Sequence, residues 1–214
     1  MDEEARRRRL NFPEDEAGNP WLSMLLDAYA VVDAGVTEAL ARHVEREPRD
    51  RVACSRGCAP CCVDNDVPVL LLEAVGLEWF VLHKATRENK AAVLKAIHEF
   101  PRRRNTGAGC PFLRERSCLV YVMRPIACRN FVVFNTPCAY GEDATETRPQ
   151  EVLKPKGARL RQAFRYMLPY YGFTEEGAVD GSVSESCLLK VIGSMHLVDW
   201  SGLAGSLAVL LGRE

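Results

Sequence analysis

The stretch "CSRGCAPCC", residues 54–62, places four cysteines within nine residues of a 214-residue chain. A chain of this length buries enough apolar surface to fold without covalent cross-links. Closely spaced thiols in such a chain indicate metal binding or redox chemistry, because disulfide frameworks belong mainly to small secreted domains. The remaining cysteines are Cys110, Cys118, Cys128, Cys138 and Cys187. The sequence therefore predicts a cysteine-rich site built from two segments of the chain.

Charge and hydropathy exclude two classes of partner. The 28 basic and 29 acidic residues nearly cancel, so the chain lacks the positive field with which proteins bind nucleic-acid phosphates. The first ten residues, "MDEEARRRRL", lack the apolar run of a secretory signal. The most apolar stretch, 188–211, is interrupted by Lys190, His196 and Asp199, which argues against a membrane span. We expect a cytoplasmic protein that binds neither nucleic acid nor membranes.

Apolar residues recur mainly at helical spacing. Asn19 and Pro20 mark the start of a long amphipathic helix that ends within "EREPRD", residues 45–50. Helices are also predicted after Asp66, after Thr86 and from Leu160. Two more helices are predicted to carry the C-terminal apolar residues Leu188, Ile192, Met195, Leu203, Leu207 and Leu210. The fold class is therefore mainly α, a helical domain with two irregular cysteine-rich metal-binding loops between helices.

The chain divides into two parts by composition. Residues 1–18 are rich in charge, including the run Arg6–Arg9, and predict a disordered charged tail. Residues 19–214 predict a single helical cysteine-cluster domain, with its metal-binding core at about 54–138. The 47 residues between Cys62 and Cys110 are filled by two predicted helices. Since an antiparallel helical hairpin returns the chain to its start, we expect the two cysteine loops to share one site.

Zinc and an iron–sulfur cluster both fit the first loop. Ordering an irregular loop costs about 1–2 kcal/mol of backbone entropy per residue, whereas structural zinc binding contributes on the order of 10 kcal/mol. Structural zinc sites draw their ligands from separated pairs, so the adjacent Cys61 and Cys62 fit a single zinc poorly. Iron–sulfur clusters take thiolates from short runs, and Cys54, Cys58 and Cys61 have such spacing. The spacing leaves both metals open.

Three ordered blocks give the chain a resemblance to a known family. "CSRGCAPCC" is followed by "DVPVLLLEA" at 66–74 and by "CPFLRERSCLVYVMRPIACRNF" at 110–131, and this combination resembles the CxxCxxCC, or YkgJ, cysteine-cluster family, described as zinc- or iron-chelating. Here three residues, not two, separate Cys54 from Cys58. The resemblance implies a cysteine-held metal centre, which we expect to contain an iron–sulfur cluster, with the 4Fe–4S type favoured, or zinc. It implies as metal ligands Cys54, Cys58, Cys61, Cys62, Cys110, Cys118 and Cys128.

Two enzymatic interpretations accompany the binding or redox module that we favour. The flagellin lysine N-methylases resemble this family, which implies an alternative function as an iron–sulfur-dependent protein lysine N-methyltransferase using S-adenosylmethionine. The spacing of Cys54, Cys58 and Cys61 also resembles that of radical S-adenosylmethionine enzymes, but the chain lacks their alternating strand–helix pattern. In either case a protein partner or protein substrate is expected, and the oligomeric state stays open.

Several residues near the thiols are candidates for supporting roles. Arg124 and Arg129 flank Cys128, and their guanidinium groups are predicted to bind the cofactor by offsetting thiolate charge, Arg129 more so than Arg124. Glu73 either faces the site or faces solvent. Cys138 stays undecided between ligand and loop thiol. Cys187, at helical spacing with Val191 and Met195, is predicted to be a core residue.

Overall fold

The computed structural model describes residues 1–55, 57–63, 67–103, 109–173 and 192–212. Within these ranges the chain is mostly helical, which confirms the predicted fold class. The helices are α1 Glu3–Arg8, α2 Pro13–Gly18, α3 Pro20–Arg46, α4 Pro60–Val63, α5 Leu71–His83, α6 Arg87–Arg103, α7 Ile126–Asn130, α8 Ala144–Thr147, α9 Gly157–Met167 and α10 Ser201–Leu211. The strands are β1 Pro68–Leu70, β2 Leu113–Arg114, β3 Ser117–Cys118 and β4 Ile192–Ser194.

Helix α3 is the central element of the fold. It begins at Pro20, where the missing N–H costs nothing, and runs for 27 residues to Arg46, as the sequence predicts. It packs against α1, α5, α7 and α9. Its fully buried side chains include Leu22, Leu25 and Val31. Because helices from both halves of the chain dock on α3, it is the frame on which the cysteine-bearing segments are placed.

The prediction of a disordered tail over residues 1–18 is wrong. These residues form α1 and α2, and Ala5 is completely buried in the main core. The charges expected to keep the segment in solvent instead pair with one another and with α3. Arg9 binds Glu16 at 2.6 Å and Asp27 at 2.5 Å. Partnered charge thus allows a strongly polar segment to pack.

Two short antiparallel sheets lie beside the helices. Strand β1 pairs with β4, Val69 opposite Gly193, and β2 pairs with β3. The predicted helix through Ile192 and Met195 is therefore wrong at residues 192–194, where pairing with β1 satisfies the backbone. The helix predicted after Asp66 begins only at Leu71, since β1 precedes it.

Helices α5 and α6 follow as two consecutive helices joined by a short turn. Thr86 precedes α6, and its hydroxyl oxygen accepts a hydrogen bond from the N–H of Asn89 at 3.2 Å. Helix α5 also crosses α3 closely. A Cβ at Gly76 would collide with a methyl carbon of Leu25, so a larger residue there would force the buried Leu25 side chain to shift.

Membrane insertion finds no support in the helices. Among the residues that the structure describes, no helix is both long and apolar enough to cross a membrane.

The stability with which α1 and α2 are attached to α3 is expected to depend on pH. Hydrogen bonding from Arg9 lowers the pKa of Glu16 to about 2. A carboxyl whose pKa is lowered by folding stabilises the folded state above its unfolded pKa of 4.5, and this stabilisation is lost as the pH falls toward 2. At neutral pH, Glu16→Gln should cost about 1 kcal/mol of local stability.

Hydrogen–deuterium exchange at pH 7 tests this attachment. Residues 3–18 should exchange faster in Glu16→Gln than in the wild type, and Glu14→Gln serves as the control because Glu14 is exposed in the same helix. Equal exchange in all three proteins would contradict the role assigned to Glu16.

Candidate metal centre

Backbone pairing with a distant segment fixes the first cysteine. The N–H of Ala53 donates to the carbonyl of Val133 at 2.8 Å. The N–H of Val133 in turn donates to the sulfur of Cys54 at 3.3 Å. An amide aimed at sulfur stabilises a thiolate more than a neutral thiol. Cys54 is therefore held in an environment suited to metal ligation.

The adjacent cysteines lie together on a single helical turn. Cys61 and Cys62 belong to α4, which begins at Pro60. Gly57, four residues before Cys61, has a φ of 84°, a conformation that glycine adopts without strain. A hydrogen bond with Cys62, together with burial, raises the pKa of Cys61 well above its usual range. The vicinal thiols thus contact each other rather than pointing apart.

The second cysteine loop lies directly against the first. The N–H of Cys110 donates to the carbonyl of Cys62 at 2.6 Å. Gly109 permits this approach, because its φ is 71° and a Cβ there would lie 3.1 Å from the Cys62 oxygen. Arg116 adds a hydrogen bond from its Nε to the carbonyl of Gly57 at 2.9 Å. The prediction that the two cysteine loops meet is confirmed.

The other thiols of the second segment lie on short, well-held elements. Cys118 is in β3, opposite Leu113 of β2, and Cys128 is in α7. The backbone N–H groups of Phe112 and Val120 lie close enough to the sulfurs of Cys110 and Cys118 to lower the pKa of these thiols, against the larger effect of burial. Together with the bond to Cys54, three sulfurs from both loops face backbone amides.

Burial and the neighbouring thiols raise the pKa of cysteines in the second loop. Burial, aided by the neighbouring thiols Cys61 and Cys118, raises the pKa of Cys128 to about 12. Burial likewise raises the pKa of Cys110, and the neighbouring thiols Cys118, Cys128 and Cys61 raise it further. Metal binding must therefore displace protons, and a cation would reverse the repulsion that these thiolates otherwise experience.

The thiols of both loops influence one another electrostatically, but their sulfur atoms do not surround a common point. Within the described ranges, no group of three or more cysteine, histidine, aspartate or glutamate side chains has the arrangement of a metal-ion site. The expected convergence of Cys54, Cys58, Cys61 and a thiol of the second loop on one centre is not seen among the described residues, and their joint ligation of a metal stays a prediction. The donor chemistry fits a metal nonetheless, because the loops supply clustered thiols with amides aimed at several of them.

The two arginines differ from expectation. Arg129 is only 4% exposed, and its guanidinium binds Asp33 at 2.6 Å and the carbonyls of Arg124 and Val122. No hydrogen bond from it to sulfur is found among the described residues. Arg124 instead lowers the pKa of Cys118 and Cys128, against the larger effect of burial. The arginine whose charge acts on the thiols is Arg124, and Arg129 supports the backbone around it.

Comparison with known families agrees with the cysteine geometry. The model of one protein family matches residues 53–151, and its description is "CxxCxxCC: Putative zinc- or iron-chelating domain". Residues 53–151 are therefore similar to the CxxCxxCC family. No curated protein and no solved structure matches the chain. The matched range contains both cysteine loops, so metal binding is the function that the family supports.

Sequence reasoning left some residues of the CxxCxxCC domain unassigned or missed them. Burial raises the pKa of Cys138, which the sequence left undecided, and the charges of Glu142, Cys54 and Cys61 raise it further. Arg148 opposes this effect and also lowers the pKa of Cys54. No spacing pattern could reveal Arg148, because its position depends on the fold. Cys187 lies outside the described residues.

Glu73 faces the interior rather than the solvent. Its side chain is only 2% exposed and lies beside Tyr29 and Arg129. Burial raises the pKa of this carboxyl, and hydrogen bonds from the N–H groups of Leu70 and Ile126 oppose that rise. The sequence signal that could have found it is a charged residue within the apolar run "VLLLEAVGL".

Removal of metal from the CxxCxxCC domain should loosen both loops. If metal ligation holds residues 54–66 and 110–131, treatment with a chelator should raise hydrogen exchange there, while α3 keeps its protection. The measurement is hydrogen–deuterium exchange on metal-loaded and stripped protein. Unchanged protection in both loops would show that the thiols are not ligands.

Proposed function

We propose that the protein holds an iron–sulfur cluster of the 4Fe–4S type and acts as a redox or binding module. The observation that carries the proposal is the hydrogen bond from Cys110 to Cys62, which joins two thiol-bearing loops into one site. A 4Fe–4S cluster takes four thiolate ligands, and we propose that they come from the seven thiols predicted from sequence, Cys54, Cys58, Cys61, Cys62, Cys110, Cys118 and Cys128.

The arrangement of thiols supports a polynuclear centre over one zinc ion. A tetrahedral zinc site takes four ligands from separated pairs. Here Cys61 and Cys62 are in contact, and Cys110, Cys118 and Cys128 lie near Cys61. A cluster with several iron atoms accommodates such a wide set of sulfurs more readily than one ion does. Backbone amides at three sulfurs would also raise the reduction potential of a cluster.

Exposed aromatic surface beside the thiols supports a protein partner. Tyr121 is 61% exposed and Val122 is 41% exposed, three and four residues after Cys118. The Arg124 guanidinium lies over the Tyr121 ring, 4.0 Å from its centroid. Tyrosine and arginine are enriched at protein interfaces. We therefore place a protein partner at this edge of the centre, in the cytoplasm, where thiols stay reduced.

The described site adds no observation in favour of lysine methyl transfer. That alternative rests on the family resemblance alone, and we assign no described residue to the binding of S-adenosylmethionine.

Anaerobic purification with elemental analysis tests the proposed cluster. The protein should be brown, contain iron and acid-labile sulfide in equal amounts, and lose visible absorption on reduction. Cys118→Ser should lower the iron content, whereas Ser117→Ala, at the neighbouring exposed position, should not. A colourless protein with stoichiometric zinc would contradict the iron–sulfur proposal.

A further inference from the structure

The carboxylate of Glu73 joins two segments that are distant in sequence. One oxygen, Oε2, accepts the N–H of Leu70 at 2.9 Å, and the other, Oε1, accepts the N–H of Ile126 at 2.7 Å. Both bonds are buried. A buried carboxylate is tolerated only when its oxygens are hydrogen-bonded, and here each oxygen has a backbone donor.

The bond to Ile126 holds a helix that has little stability of its own. Helix α7 has only five residues, far fewer than an isolated helix needs. Ile126 is its first residue and follows Pro125, so the Ile126 N–H has no partner within the helix. Glu73 supplies that partner. The helix that carries Cys128 is thereby fixed to the start of α5.

The bond to Leu70 ties the same carboxylate to the exit of the first cysteine loop. Leu70 ends β1, the strand that follows "CSRGCAPCC" in the chain, and Glu73 is in the first turn of α5. One side chain therefore connects the element after the first loop with the helix that carries Cys128 of the second. The hydrogen bond from Cys110 to Cys62 joins the loops at a different point.

Neighbouring groups restrict where Glu73 can move. The Tyr29 hydroxyl lies beside it and also donates to the carbonyl of Met123 at 3.3 Å. The Arg129 guanidinium lies over the Tyr29 ring, 3.9 Å from its centroid, and binds Asp33 of α3 at 2.6 Å. The carboxylate therefore has polar neighbours from both α3 and α7.

We propose that Glu73 is a positioning residue, which holds Cys128 at the metal centre by bonding the backbones of Leu70 and Ile126 at once. This role rests on the proposed function, since it concerns the same centre. Glu73 need not touch the metal, because it acts through the placement of α7. Partners of this kind typically contribute about 10- to 100-fold to metal affinity.

Metal loss from Glu73→Gln tests the role. A carboxamide keeps the shape of the side chain, but its NH₂ group must face one of the two backbone donors. Metal loss to an excess of chelator should be about 10- to 100-fold faster than in the wild type. The thiolate-to-metal absorption band should also shift, because the Cys128 sulfur is displaced. Glu78→Gln, a half-buried carboxyl of the same helix, should change neither quantity.

A second control separates positioning from general destabilisation. Leu203→Ala removes a buried side chain of α10 and leaves Glu73 intact. It should lower the melting temperature without shifting the absorption band. Should Glu73→Gln fail to fold, Glu73→Asp is measured in the same way, because its shorter side chain cannot reach both donors.

The outcomes distinguish the two proposals. If the wild type binds metal, and Glu73→Gln loses metal at the wild-type rate and shows the wild-type absorption band, the role of Glu73 alone is overturned. That role is also overturned if Leu203→Ala speeds metal loss and shifts the band equally. A wild-type chain that binds no metal would overturn the proposed function and this role with it.

Discussion

Buried thiols that lie close together cannot all ionise unless a cation joins them, and this constraint governs the cysteine region. Burial raises the pKa of Cys110 and Cys128, and each thiolate nearby acts in the same direction. At the same time, backbone amides point at the sulfurs of Cys54, Cys110 and Cys118. Amides favour the thiolate, whereas burial and repulsion oppose it. A bound cation satisfies both conditions, since it allows ionisation without leaving uncompensated charge.

A polar network adds to the apolar packing that connects the second cysteine loop to the helical frame. Tyr29 and Asp33 lie one turn apart on α3, and Arg129 contacts both. Glu73 lies beside Tyr29 and bonds the first residue of α7. Among the described residues, no buried side-chain nitrogen or oxygen lacks a hydrogen-bond partner. Such fully partnered networks define geometry strictly, because any displacement leaves a buried polar group unsatisfied.

The sequence predicts the frame better than the details of the site. The start of α3 and the meeting of the two loops follow from the Asn19–Pro20 signal and from the two helices between Cys62 and Cys110. The prediction for residues 1–18 fails because dense charge does not require solvation when Arg9 finds partners on α2 and α3. Helical spacing of apolar residues also fails at Ile192, where pairing with β1 prevails. The direction in which each supporting side chain points depends on the tertiary fold, which a local sequence pattern does not encode. Arg129 follows Cys128 directly, yet its guanidinium binds Asp33, 96 residues away in sequence, and it is the charge of the more distant Arg124 that lowers the pKa of Cys128.

X-ray absorption at the metal edge of the purified protein tests most directly whether the two loops hold one thiolate-bound centre. We expect a nearest shell made of sulfur alone, with a metal–metal distance resolved beyond it if the centre is an iron–sulfur cluster. For zinc, the sulfur shell would lie at about 2.3 Å without a metal–metal distance. A nearest shell of nitrogen or oxygen would contradict the claim that the cysteine loops bind the metal.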